Sequence, residues 1–218
     1  MHIERWVAVT LLGATLATSA SAGTTLHGPT PYLSSADSSF AGLSGLMIED
    51  FEDGVLNLTG VSASVGGVVG PGSATDSVDA DDGVIDGSGL GGHSLFWGSG
   101  ATGILFTFDE LILEGLPRHA GIVWTDGAGT IEFEAFDASG ASIGTLSGTH
   151  AGGGHNGQTD EDRFYGISHD AGIGSIFIRN TAGGIEVDHL QFAMVPSPMT
   201  GMVLISGGLI GLGRRRRS

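Results

Sequence analysis

Thr130-Ile131-Glu132-Phe133-Glu134-Ala135-Phe136 alternates strictly. Ile131, Phe133 and Ala135 fall on one side, and Thr130, Glu132 and Glu134 on the other. Successive side chains of an extended chain point to opposite faces, so the pattern predicts a β-strand with one buried and one wet face. Asp137-Ala138-Ser139-Gly140 reads as a turn, and residues 142–146 as the return strand of a hairpin.

The same reading extends along the chain. Short apolar runs at 104–108, 120–125, 164–168, 175–179 and 185–192 predict further strands, and Asp126-Gly127 reads as a turn pair between two of them. Residues 60–92 are rich in Gly, Ser and Asp. A structureless loop of that length is unusual in a compact domain, so 65–69 and 83–85 are expected to pair with the sheet. Residues 36–47 have room for a helical turn or two, and no long amphipathic helix is visible. Short strands separated by Gly- and Asp-rich turns predict an all-β domain, a jelly-roll-like β-sandwich over 23–194.

Of the 218 residues 40 are Gly, and neither Cys nor Lys occurs. Zero Cys excludes thiolate metal sites, iron–sulfur clusters and Cys nucleophiles. Zero Lys excludes the P-loop lysine and Schiff-base chemistry. Within 23–194 only Arg118, Arg163 and Arg179 face 23 acidic residues. Such a body repels nucleic acid and anionic lipid, keeps the domain soluble, and draws hard divalent cations.

The two ends differ from the body. In residues 1–22, Arg5 precedes an apolar run at 6–17, and Ala20-Ser21-Ala22 supplies the small residues of a cleavage site. This is the pattern of a secretory signal peptide, cut before Gly23. At the other end stand Val195-Pro196-Ser197-Pro198, a Gly-rich apolar stretch at 199–213, then Arg214, Arg215, Arg216, Arg217 and Ser218. The apolar stretch is a short hydrophobic helix candidate, below the roughly 20 residues a spanning helix needs. The Arg cluster after it acts as a cytoplasmic stop.

The Pro-x-Pro, apolar stretch and terminal Arg cluster of 195–218 resemble the PEP-CTERM sorting signal, with Ser197 in place of the name-giving Glu. The resemblance implies recognition by an exosortase-like membrane protease, transient membrane contact of the tail, and travel to the cell surface with extracellular polysaccharide. A second resemblance covers the ends of the body. Ile48-Glu49-Asp50-Phe51-Glu52-Asp53-Gly54 and 184–192 are similar to the first and last strands of carbohydrate-binding-module-type jelly rolls. It implies that these strands lie side by side and share a structural Ca²⁺, held by Glu52 and Asp188 with Glu49, Asp50 and Asp53 in support. Independently, four carboxylates within Glu49–Gly54 would repel one another, and a bound cation would relieve that.

Other motifs carry less. Asp76, Asp79, Asp81, Asp82 and Asp86 form a second acidic cluster. Counted from Asp79, Leu90 stands where a calcium loop of the EF-hand type needs Glu, so the cluster reads as a solvated loop. Gly87-Ser-Gly-Leu-Gly-Gly92 matches a dinucleotide fingerprint only in form, because no helix start follows. Gly140-Ala-Ser142-Ile-Gly144 matches a nucleophile elbow but lies within a hairpin. His150 and His155 flank a flexible Gly run, and His189 reads as a packed or surface residue. Trp97 is the open aromatic suited to stacking on a sugar, with Tyr165 behind it, whereas Trp124 reads as core. No set of residues demands catalysis, and paired carboxylates at a glycosidase separation are not evident. Three functions follow as expectations: an exported, non-catalytic surface or matrix protein associated with exopolysaccharide; a carbohydrate-binding module with a defined sugar site; and, third, a secreted polysaccharide-active enzyme.

Overall fold

The structure is a computed structural model that describes residues 23–72, 75–80, 91–152 and 159–194. The segments read as signal peptide (with Ala20 and Ala22) and as sorting tail lie outside these residues, as do 83–85, Asp81, Asp82, Asp86 and His155.

Ten strands form one antiparallel sheet: β1 (Thr24–Pro31), β2 (Leu46–Glu49), β3 (Val61–Ala63), β4 (Gly67–Val69), β5 (Ser94–Trp97), β6 (Ile104–Phe108), β7 (His119–Phe136), β8 (Ser142–Gly148), β9 (Arg163–His169) and β10 (Ser175–Ala193). Its helical content among the described residues is single 3₁₀ turns, one of them at Ser35–Asp37, overlapping the start of the segment given room for a helical turn.

The two longest strands organise the rest. β7 and β10 pair from Ser175↔Phe136 to Ala193↔His119. Asp126-Gly127 therefore does not reverse the chain, as its turn chemistry suggested. The ladder continues through it with register shifts, and Gly127, Gly129 and Gly183 take positive φ there. Irregularities of this kind bend and twist a strand pair without ending it. The bend divides both strands. Their one half pairs with β8 and β6, the other with β9, β5 and β2.

Alternation then sorts the side chains. Ile131, Phe133 and Ala135 join Ile176, Ile178, Ile104 and Phe106 from one half, and Ile122, Trp124, Tyr165, Ile167, Ile185 and Val187 from the other, in one apolar core. The outer face of the first half stays wet, as Glu132 and Glu134 require. The second half is covered on both faces. Val123 and Phe164, pointing away from the main core, pack with Tyr32, Phe40 and Val78 in a smaller cluster. Gly121 makes this possible, because a Cβ there would meet the Phe164 ring and the Tyr165 carbonyl.

β1 is a strand the hydrophobic pattern did not announce. Thr24–Pro31 is mostly polar and contains Pro29, yet it pairs with β9 from Thr24↔His169 to Pro31↔Arg163, with an irregularity between His27 and Thr30. It lies at the end of the ladder, where Pro is tolerated.

Candidate metal centre

The second face of β10 carries polar side chains into the smaller cluster. Glu186 and Asp188 point there by alternation. At His189 the backbone takes φ 42°, and the ladder steps from Asp188↔Val123 to Gln191↔Gly121. The extra residue resets the alternation, so Leu190 and Phe192 return to the main core while Gln191 stays with Asp188. A β-bulge re-aims side chains in this way.

Residues from three other segments close over this face. The Asp188 Oδ2 accepts the Ser77 hydroxyl at 3.0 Å and the Val78 amide at 2.9 Å, and its Oδ1 accepts the His189 amide at 2.6 Å. The His189 Nε2 lies 3.2 Å from Asp79 Oδ2, and its Nδ1 lies 3.1 Å from the Tyr32 hydroxyl. Gln191 Nε2 donates to that hydroxyl at 3.3 Å and to the His189 carbonyl, and the Ser38 hydroxyl donates to Gln191 Oε1. One step along the strand, Glu186 Oε1 accepts the Asp76 amide and the Ser94 hydroxyl.

One oxygen from Asp79, one from Asp188 and one ring nitrogen of His189 all lie within 4.8 Å of one another. Asp188 is wholly buried and His189 nearly so, while the Asp79 side chain is 42% exposed and opens the group to solvent. Burial pushes the Asp188 carboxyl up to about 7, against the pull of His189 and the amide donors. Burial likewise pushes Glu186 up to about 7. Burial alone would lower the His189 imidazole, but the hydrogen bond to Asp79 and the charges of Asp188, Asp79 and Asp50 outweigh it and raise it.

The carboxylates expected to share a cation are also hydrogen-bond acceptors within the domain. β2 does lie beside β10, with Glu49 opposite Leu190. Glu49, however, is buried and accepts three backbone amides, from Phe51 at 3.2 Å, Asn57 at 2.9 Å and Leu58 at 3.1 Å. Asp53 accepts Val55 N and the Asn57 side chain, and Asp50 accepts Glu52 N. Glu52 accepts the His93 amide and lies 3.3 Å from its ring Nδ1. Of that set only Asp188 belongs to the one group of three donors found among the described residues. Asp79 and His189, read from sequence as loop and packing residues, complete it. Asp76, from the same acidic cluster, is buried as well.

Trp97 is half-buried against the main core, and its indole N–H donates to Thr102 Oγ1 at 2.9 Å. Trp124 is core, as expected. Beside it, the rings of His150 and Tyr165 follow at 5.0 and 5.8 Å centroid separation in turn. Among the described residues, Trp124 Nε1, His150 Nε2 and the Tyr165 hydroxyl are buried without a hydrogen-bond partner.

No protein-family model matches this chain, and no curated protein matches it.

Proposed function

We propose that this chain is an exported, non-catalytic surface or extracellular-matrix protein. A signal peptide at 1–22 directs export. A single β-domain, folded as a jelly-roll-like sandwich, carries the external role. The tail at 195–218 is handled by an exosortase-like membrane protease, after which the protein associates with exopolysaccharide. The observation that supports this most is the order of three segments: apolar leader with a small-residue site, one acidic domain, then Pro-x-Pro, a short apolar stretch and four Arg. Intact mass and location in the native host test it. The expected mass lacks 1–22 and the residues after about Pro198, and the protein is found outside the inner membrane. A full-length tail retained in that membrane would overturn the sorting reading.

A second reading, a carbohydrate-binding module, is favoured by an open groove of about 420 Å³ on the wet face of β7, β8 and β10. Phe177 offers a ring there, beside Glu134, Thr145, Ser147 and the cross-strand pair of Arg179 with Glu132 at 2.6 Å. A ring with flanking hydrogen-bonding groups suits the face and the hydroxyls of a sugar. Glycan binding lost in Phe177→Ala and kept in Trp97→Ala would support this reading. Loss in Trp97→Ala alone would return the site to the end of β5. A polysaccharide-active enzyme is the least supported of the three.

A further inference from the structure

We propose that Asp79, Asp188 and His189 form a binding site for one divalent transition-metal ion of the Zn²⁺ type, distinct in position and chemistry from an all-oxygen Ca²⁺ site at the Glu49–Gly54 turn. The argument begins with the donor set. Two carboxylates and one imidazole are a mixed oxygen and nitrogen set, which suits Zn²⁺ and its first-row neighbours, whereas Ca²⁺ takes six to eight oxygens. Zinc bonds of about 2.0–2.2 Å place neighbouring tetrahedral ligands roughly 3.3 Å apart. His189 Nε2 and Asp79 Oδ2 already stand 3.2 Å apart, and the Asp188 oxygen is within 4.8 Å of both.

The surroundings hold these ligands in place. A ligating imidazole is usually oriented through its other ring nitrogen, and a ligating carboxylate by hydrogen bonds to its oxygens. Here Tyr32 occupies the far nitrogen of His189 and is itself held by Gln191. Ser77, Val78 and the His189 amide hold Asp188. The bulge at His189 puts Asp188 and the imidazole at one point, which uninterrupted alternation would not do. Asp79, at the exposed rim, gives the ion a way in.

Without metal, His189 and Asp79 pair beside the buried Asp188, and that is the competing account. Titration calorimetry and thermal melting of the full-length chain, stripped with chelator, separate the two, with Zn²⁺, Mn²⁺ and Ca²⁺ as probes. The expected result is one equivalent of Zn²⁺ bound, a melting temperature raised by about 5 °C, and Ca²⁺ at least about 100-fold weaker. Asp79→Asn and His189→Gln should each abolish the Zn²⁺ shift while melting cooperatively in chelator. Tyr32→Phe should weaken Zn²⁺ by about tenfold or more without removing it. No binding by the unsubstituted chain overturns the proposal. So does Zn²⁺ binding that survives both ligand variants. Ca²⁺ binding as tight as Zn²⁺, and unaffected by His189→Gln, would restore the all-oxygen site. The outcome is independent of the tail, because the binding assay reads the domain and the host mass reads the sorting.

Discussion

The Tyr32 hydroxyl lies 3.1 Å from His189 Nδ1, and their rings meet edge to face at 5.5 Å, across 157 residues of chain. The contact ties the segment after β1 to the bulge in β10. Both side chains are buried, and burial raises the Tyr32 phenol, which stays protonated. Replacing Tyr32 by Phe keeps the ring and orphans a buried imidazole nitrogen. The expected loss is about 1–2 kcal/mol of stability, read as a lower urea midpoint with unchanged slope. An unchanged midpoint would mean that the hydroxyl contributes nothing there.

Glu49 organises the turn after β2 by accepting three backbone amides. Glu49→Gln replaces one acceptor oxygen by an NH₂ facing N–H donors. It should cost about 2–3 kcal/mol in urea denaturation, and added Ca²⁺ should not change that cost. A loss that appears only when Ca²⁺ is present would mean that this carboxylate serves a cation.

Tyr165 presents the opposite case. Among the described residues its hydroxyl is buried without a partner, so it carries a desolvation cost and no bond to offset it. Tyr165→Phe should therefore be neutral or stabilising by about 1 kcal/mol, visible as an equal or higher melting temperature. A clear drop would point to a bound water or other partner at this hydroxyl.

Stability should fall as pH rises through 7. Burial raises Glu161, Glu186 and Asp188 each to about 7, so their protonated forms favour the fold. That contribution is complete below the unfolded carboxyl values near 4 and is lost as pH climbs through about 7. His150 acts in the other direction. Burial lowers it to about 4, so its contribution is present above about 6.5 and disappears as pH falls toward 4. In chelator, melting temperature should peak on the acid side of neutrality and decline from pH 6 to pH 8. Glu161→Gln should gain on the unsubstituted chain across that interval, by about 1–2 kcal/mol. A melting temperature that rises from pH 6 to pH 8 would show these carboxyls ionised in the folded chain.

Strand positions were legible where one face is wet. Ile131, Phe133 and Ala135 alternate with polar residues, and β6 and β8 carry similar local signals, so the period of the sheet is written in the sequence. Asp126-Gly127 misled because a turn pair and a bulge use the same residues. Which one forms depends on whether a partner strand continues alongside, and β10 does. β1 was hidden for a related reason, since a polar edge strand with Pro29 draws its pairing from β9 rather than from its own pattern.

The candidate site was half legible. Asp188 was singled out, and the pairing of β2 with β10 brings its neighbours close. The other two members of the group, Asp79 and His189, read as loop and packing residues because nothing local marks them.

Composition and alternation are local properties, and they settle the all-β class, the acidic body, the absence of thiol and lysine chemistry, and the distinct character of the two ends. The meeting of Asp79 with Asp188 and His189 is not local. It depends on a one-residue bulge that re-aims one strand and on a segment more than 100 residues earlier folding over it. Burial then sets the chemistry of these groups, and burial exists only once distant segments have packed.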